Sequence, residues 1–477
     1  MLKMSHNSAE ETRYQPAQTI NEVKNLISIA TQCANFPTVT LRYSNLELLK
    51  KIGFTDFSES SLQKYFADFD ALPENLPEPL ALAYHGHQFG QYNPQIGDGR
   101  GFLFAQFKDD KGRLLDLGTK GSGQTPFSRT GDGRLTLKGG VREVLATEML
   151  QAHGVNTSKS LTLFETHEQL YRGDEPSPAR SGVLVRMSHS HIRFGTFQRL
   201  AYLEDEKGIA DLIAYCVRHY YPDVQRGEFK DTVIAFFRAV MTATADMIAS
   251  WMAAGFVHGV MNTDNMVITG ESFDYGPYRF LPVSDPNFVA AYFDDAGRYR
   301  FGRQPEVGIW NLTQLAGCLL SHSDSSSLEV VLNEYADVYR ASLRSHVFRR
   351  LGIHQTSPEE DGHFIQTYLN WMTQSGAAFE QTFFDWYGGA ASAIRSKLSP
   401  QANLYEGTEF SEVKQMLMAY EPLDEKSLQS SYFQSVHPVT VLIQDIENIW
   451  MKVVEEDDWS EFHQAIDRIR NYSKCTA

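Results

Sequence analysis

The chain is poor in cysteine: Cys33, Cys216, Cys318 and Cys475 are the only four among 477 residues. None forms a Cys-x-x-Cys pair, which argues against a zinc ribbon and against a disulfide framework, and a reducing compartment suits such usage. Positive charge is also scarce. Lys and Arg number 43 against 59 Asp and Glu, a formal net charge of −16, so non-specific binding to a nucleic acid backbone is excluded as the main business of the surface. A local basic cluster could still hold a phosphate. No uninterrupted apolar run approaches the ~18 residues of a membrane span, and the opening "MLKMSHNSAEETRYQ" has no apolar segment of a secretion signal. Internal repeats and low-complexity linkers are missing too. The expectation is a cytoplasmic protein, one continuous globular body with no membrane or nucleic acid partner.

What is present supports a sizeable core, with 42% hydrophobic and 12% aromatic residues. Residues 1–80 read as a helical and loop-rich extension, with "INEVKNLISIATQCA" as an amphipathic helix candidate. Residues 81–200 are strand-rich. "IGDGRG", Ile96–Gly101, enters the apolar "FLFAQF", which turns at "KDDKG" and returns as "RLLDLGTK", a β-hairpin pattern. "GGVREVLATEMLQAHG", Gly139–Gly154, has helical spacing and a glycine stop. "SLTLFET" and "SGVLVRMS" read as further strands. From 201 to 477 helices dominate, beginning with the long apolar "DTVIAFFRAVMTATADMIASWMAAGF". Strands first and helices later give an α+β, two-lobed picture with the polar loops at the junction.

Those loops carry the chemistry. "HGVMNTDNM", His258–Met266, is followed by "FDYGP", Phe273–Pro277, and "GFV" and "MVIT" around them read as a buried hairpin. Asp264, Asn265 and Asp274 are hard oxygen donors, and such donors suit a divalent cation such as Mg²⁺, which binds one or two carboxylates plus substrate phosphates. Taken alone, each upstream feature has an ordinary alternative: "GDGRG" a tight turn, Lys120 a solvated strand end, Glu143 a solvated helix face. Their order is more specific. A Gly-rich turn, a strand lysine, a helix glutamate, a loop Asp-Asn and a later Asp before Tyr-Gly follow the arrangement of protein-kinase-like sites. Glycine lets backbone N–H groups come close to phosphate.

The blocks "YHGHQFGQYNPQIGDGRG", "DLGTKGSGQTPFSRTGDGR", "GGVREVLATEML", "VRMSHSHIRFGTFQ", "HGVMNTDNM" and "DYGP" resemble the selenoprotein O family, from about Pro16 to the C-terminus. The resemblance implies a protein-kinase-like fold with an N-terminal extension and an enlarged helical C-terminal region. It also implies a flipped nucleotide and transfer of AMP from ATP to protein Ser, Thr or Tyr hydroxyls with Mg²⁺ or Mn²⁺. Carried over by position, Gly97, Gly99 and Arg100 match the nucleotide-contacting turn and Lys120 the phosphate-binding lysine, with Glu143 its helix partner. Asp132 and Gly133 match further ATP contacts, and Arg186 and Arg193 two phosphate-facing arginines. Asp264 corresponds to the general base, and Asn265 and Asp274 to the metal ligands.

Planar bidentate guanidinium groups suit phosphate oxygens, although a structural ion pair is the alternative for Arg186. His189, His191 and His258 are expected to be structural hydrogen bonders, because the carboxylates already fill the base and metal roles. Three alternatives stay open: UMP transfer with Mn²⁺, an ordinary γ-phosphoryl kinase, and a nucleotide-binding scaffold without activity. Cys475, in "NYSKCTA", stands where selenoprotein relatives carry selenocysteine and reads as an exposed thiol on a flexible tail. Some bacterial relatives pair it with a cysteine after the Asp-Tyr-Gly segment, where this chain has Ala290 and Ala291. Cys318 fits an apolar helix pattern and reads as core.

Overall fold

The computed structural model describes residues 14–173 and 175–476. Its strands are β1 (Pro16–Ala17), β2 (Ser28–Ala30), β3 (Thr40–Ser44), β4 (Leu80–Leu82), β5 (Gly86–Gln88), β6 (Gln91–Asn93), β7 (Leu103–Lys108), β8 (Leu114–Lys120), β9 (Leu135–Thr136), β10 (Lys159–Leu170), β11 (Ala179–Ser188), β12 (Phe256–Val257) and β13 (Arg279–Phe280). The main sheet runs β2-β4-β7-β8-β11-β10-β3, with β1 on β7 and β9 on β11. Its pairings are antiparallel. Beyond residue 190 helices dominate, so the expected α+β class holds.

Period-two alternation explains how the sheet presents chemistry on one face. In β8, Leu115 and Leu117 point into a core shared with Phe102, Phe104, Leu62 and Phe66; in β11, Val183, Val185 and Met187 do the same. Lys120 and Arg186 therefore take the opposite face. Leu184 pairs with Lys120 and Arg186 with Gly118, so the two cations are diagonal neighbours, a spacing within reach of long side chains. The Leu137–Ala152 helix, capped by the Thr136 hydroxyl accepting from Gly139 N–H, lies across that face. It can come close because residue 140 is glycine: a Cβ there would sit 2.5 Å from Leu163 Cδ1.

The last helix, Ser460–Thr476, packs on the outside of the Leu137–Ala152 helix. Arg470 pairs with Glu148 at 2.6 Å, and the Tyr472 hydroxyl lies 3.0 Å from His153 Nδ1. Cys475 sits within this helix and is half-buried. The flexible tail expected for it is corrected: the helix buries Phe462, Ile466, Ile469 and Tyr472 at helical spacing and so is docked to its end. Cys318 is core as expected, and burial pushes its thiol up to about 12.

Two further expectations change. "INEVKNLISIATQCA" is not one helix. A 3₁₀ turn Thr19–Glu22 and a single turn Lys24–Ile27 give way to β2, whose Ser28 pairs with Leu82 of β4. Ile20, Val23 and Ile27 are buried at helical spacing, but sheet pairing takes the residues that follow. Residues 14–80, expected to be helical and loop-rich, thus also supply β1, β2, β3 and the start of β4 to the main sheet. The hairpin expected from "GFV" and "MVIT" is likewise reassigned: β12 pairs with β13, and Val267 makes only a single bridge to Arg193. The Phe229–Ala253 helix is long and apolar enough, by length and composition, to cross a membrane. In the fold it is a core helix, burying Phe236, Phe237, Val240, Met241 and Ile248 against the Gln304–Cys318 and Ser325–Leu351 helices.

Candidate active site

A cavity of about 660 Å³ opens where the sheet face meets the loops after the Phe229–Ala253 helix. Gly97, Gly99, Arg100, Lys120, Asp132, Gly133, Arg186, Arg193, Asp264 and Asp274 all line it. Two of the expected residues do not. Glu143 lies beneath the lining, and Asn265 stands beside Asp264 with its amide donating to the Val260 carbonyl at 2.9 Å.

The floor is an ion cluster. Lys120 Nζ lies 2.5 Å from Glu143 and 2.6 Å from Asp274. Arg186 reaches the same two carboxylates at 3.4 and 3.5 Å. Arg193 lies 3.7 Å from Asp274 and 3.3 Å from Asp98, and donates to the Asp264 carbonyl at 2.6 Å. Asp274 is thus the common anion of three cations. Burial alone would raise its carboxyl, but Lys120, Arg186 and Arg193 outweigh burial and hold it well below the usual carboxylate range. Its backbone is left-handed, φ 66°, a region Asp tolerates better than most residues. The Phe273 ring lies under both guanidinium groups, 5.1 Å from Arg186 and 4.7 Å from Arg193, and Tyr84 covers Arg193 from another side at 4.3 Å.

Asp264 differs from Asp274. It sits on the 3₁₀ turn Thr263–Asn265, which is braced from both flanks. Thr263 Oγ1 accepts from His87 N–H at 2.7 Å and donates to Gln198 at 2.6 Å. The Asn262 side chain accepts from Phe89 N–H and from the Tyr299 hydroxyl. Gln88 Nε2 approaches Asp264 Oδ2 at 3.4 Å, whereas the buried Oδ1 has no hydrogen-bond partner. Burial pushes the carboxyl up to about 6, with Arg193 pulling the other way. Oδ1 is packed against Gly86, where a Cβ would sit 2.6 Å from that oxygen, while Asp264 itself lines the cavity. Among the described residues no cluster of three or more His, Cys, Asp or Glu forms a metal cage. The oxygen donors at hand are the Asp264 and Asp274 carboxylates that line the cavity, with Asn265 next to Asp264 in the chain. That set fits a hard ion that takes few protein ligands and completes its shell with phosphate oxygens.

The glycine turn owes its sequence to close packing. A Cβ on Gly97 would sit 2.4 Å from the Phe127 ring, and one on Gly101 would sit 2.2 Å from the Thr119 carbonyl oxygen. Gly133 has φ 71°, and a Cβ there would meet the Gly123 backbone at 2.2 Å. Asp132 is engaged by Arg172 through two hydrogen bonds, 2.7 and 3.1 Å. The three histidines are structural bonders. His258 donates to the Phe273 carbonyl, His189 to the Leu114 carbonyl, and His191 lies against Asp116. Sequence reasoning passed over Gln88, Asp98, Tyr84, Phe273 and Arg172. Asp98 was visible inside "GDGRG", but its partner Arg193 is 95 residues away, and no spacing rule links them.

Similarity to curated proteins gives the class. The chain is 42% identical to a Synechocystis protein named "Protein nucleotidyltransferase YdiU", over 96% of this chain and 98% of that protein. It is 40% identical to the protein of that name from Trichodesmium erythraeum, over 91% and 94%, and 42% identical to the one from Gloeobacter violaceus, over 92% and 91%. The enzyme is a nucleotidyltransferase. More narrowly, the chain belongs to the family described as "Protein adenylyltransferase SelO", which it matches across residues 10–470.

Proposed function

We propose that this enzyme moves AMP from ATP to a Ser, Thr or Tyr hydroxyl of another protein, on a two-lobed, protein-kinase-like scaffold. The observation that supports this reading best is the convergence of Lys120, Arg186 and Arg193 on Asp274 at the floor of one glycine-walled cavity. Attack at phosphorus needs alignment and charge neutralisation more than covalent help. Three fixed cations supply the second, and the Gly97–Gly101 turn offers backbone to the nucleotide. In this reading Lys120, Arg186 and Arg193 hold the phosphates, while Glu143 fixes the first two from below. The acceptor oxygen bonds to the α-phosphorus, the bond from that phosphorus to the bridging oxygen breaks, and pyrophosphate leaves. The hydroxyl proton passes to the Asp264 carboxylate, which lines the cavity. Asn265 and Asp274 would hold Mg²⁺ or Mn²⁺, which when bound neutralises phosphate charge.

The test is transfer from ATP labelled at the α- or the γ-phosphorus. Label in protein from α-ATP alone is expected. γ-Label alone would make the enzyme a kinase, and bound nucleotide with neither label would make it a scaffold. The relatives' names specify no base, so α-labelled UTP with Mn²⁺ is the companion assay; stronger labelling from UTP would replace AMP by UMP.

A further inference from the structure

The hairpin that brings Gln88 to Asp264 also carries a ring away from it. Phe89 has a left-handed backbone, φ 51°, which is costly for a large side chain and persists only where surroundings enforce it. Here its N–H is pinned by Asn262 Oδ1 and the Tyr299 hydroxyl, both at 3.1 Å. Its ring packs on Tyr299 at 4.9 Å and on Phe293 at 5.8 Å, and Phe293 packs on Tyr292 at 5.0 Å. Yet Tyr292 is 76% exposed and Phe293 46%. Contiguous exposed aromatics mark contact surfaces more often than isolated ones do. Arg298 borders this ledge: its guanidinium lies 3.2 Å from where a Gly90 Cβ would be and 4.6 Å from the Trp310 ring. Its Nε is buried without a partner, its side chain bonds with the Tyr299 hydroxyl, and no carboxylate oxygen among the described residues lies within 4.0 Å of it.

We propose that the ledge of Phe89, Phe293 and Tyr292, with Arg298 at its edge, docks the acceptor protein. The occupant is an extended segment whose hydroxyl residue is flanked by an aromatic or large aliphatic side chain and by a carboxylate. The inference rests on the adenylyl-transfer reading. An acceptor hydroxyl must reach the Asp264 carboxylate at the cavity wall, and consecutive residues are only ~3.8 Å apart. Phe89 and Tyr299 are both bonded to Asn262, two residues before Asp264, so the ledge begins within a few residues' reach of the acceptor hydroxyl, just outside the cavity. The aromatic rings give the neighbours of the hydroxyl residue apolar area, and the Arg298 guanidinium, which has no carboxylate beside it, gives an acceptor acid its partner.

The experiment compares two synthetic peptides that each carry one serine. One has phenylalanine and glutamate near it, and the other has serine and glutamine in those places. Transfer from α-labelled ATP is measured for the wild type, for the double variant Tyr292→Ser/Phe293→Ser and for Arg298→Gln. The wild type is expected to favour the first peptide by roughly tenfold in kcat/KM, the scale of a lost anchor contact. The double variant should lose most of that preference through KM, while ATP affinity by calorimetry and the melting temperature stay unchanged. Arg298→Gln should lower the preference without abolishing it, because the aromatic contact remains. Equal use of the two peptides by the wild type, or an unaltered preference in the double variant, overturns the ledge. If the wild type transfers α-label to no acceptor at all, peptide or protein, the adenylyl-transfer reading falls and takes the ledge with it.

Discussion

Replacing Glu143 by glutamine tests whether the carboxylate beneath the cavity organises the cations above it. The two side chains are nearly the same size, so packing under the Leu137–Ala152 helix is kept. What changes is hydrogen-bonding chemistry. Glu143 accepts from Lys120 on one oxygen, at 2.5 Å, and from Arg186 on the other, at 3.4 Å. An amide keeps one acceptor and turns the second position into a donor, while Lys and Arg are donors only. One cation must then face an N–H group. Glu143 and Lys120 are 1% and 5% exposed, so solvent does not screen the loss, and breaking a buried pair from one side costs about 3–5 kcal/mol. At about 2.1 cal/mol/K per residue a chain of this length has an unfolding entropy on the order of 1 kcal/mol/K, so the midpoint should fall by about 3–5 °C. Scanning calorimetry reads that shift directly. The same variant should transfer α-label at least roughly tenfold more slowly, since an unfixed lysine no longer waits at the phosphate. In a Lys120→Met background the Glu143→Gln change should cost less by about 1 kcal/mol or more, the signature of direct coupling. An unshifted midpoint together with wild-type transfer would refute the proposed role of Glu143.

Three other expectations follow from the same floor and its surroundings. Asp264→Asn removes the proposed proton acceptor but keeps shape, so transfer should drop by roughly 10²–10⁴ with ATP affinity by calorimetry little changed; turnover near wild type would reassign the base. Asp274→Asn keeps a residue that tolerates the left-handed backbone, but it discharges the anion shared by three cations, so α-label transfer should vanish; wild-type turnover would remove the site assignment. Glu271 is buried beside Lys159, and burial, opposed by that lysine, raises its carboxyl from an ordinary value of 4.5 to about 7. The folded state therefore holds a proton that the unfolded state has released between those values, and stability falls as pH rises through that window. Lys159, lowered to about 8 by burial, acts above it. Urea titrations of Glu271→Gln at several pH values should show a flatter dependence between pH 4.5 and 7 than the wild type; an identical slope would exclude Glu271 as its source.

Where local pattern and final structure agree, a single segment carries enough information by itself. The β7–β8 hairpin announces itself by two apolar runs about a Lys-Gly turn, and the Leu137–Ala152 helix by its spacing and the glycine stop at Gly154. Lys120 and Asp274 could be named because each lies in a motif of its own, and Arg186 because its "VRMS" segment resembles the family's. What stayed hidden depends on pairing over distance. Ser28–Ala30 looks like the end of a helix until β4 recruits it. Asp98 looks like part of a turn until Arg193 arrives from another segment. Asp132 was read for the nucleotide, and its bidentate engagement by Arg172 depends on a loop contact that no periodicity encodes. The two-residue strands β12 and β13 are too short to have a pattern at all.

The docking of the last helix sets a schedule for synthesis. A ribosome delivers Glu143 long before it delivers Arg470 and Tyr472, the residues that grip the far side of the same helix. Until those late residues emerge and fold back, the glutamate's platform has bare apolar surface behind it. A chain whose synthesis has not yet reached Tyr472 therefore carries Glu143 on a helix still uncovered on its far side.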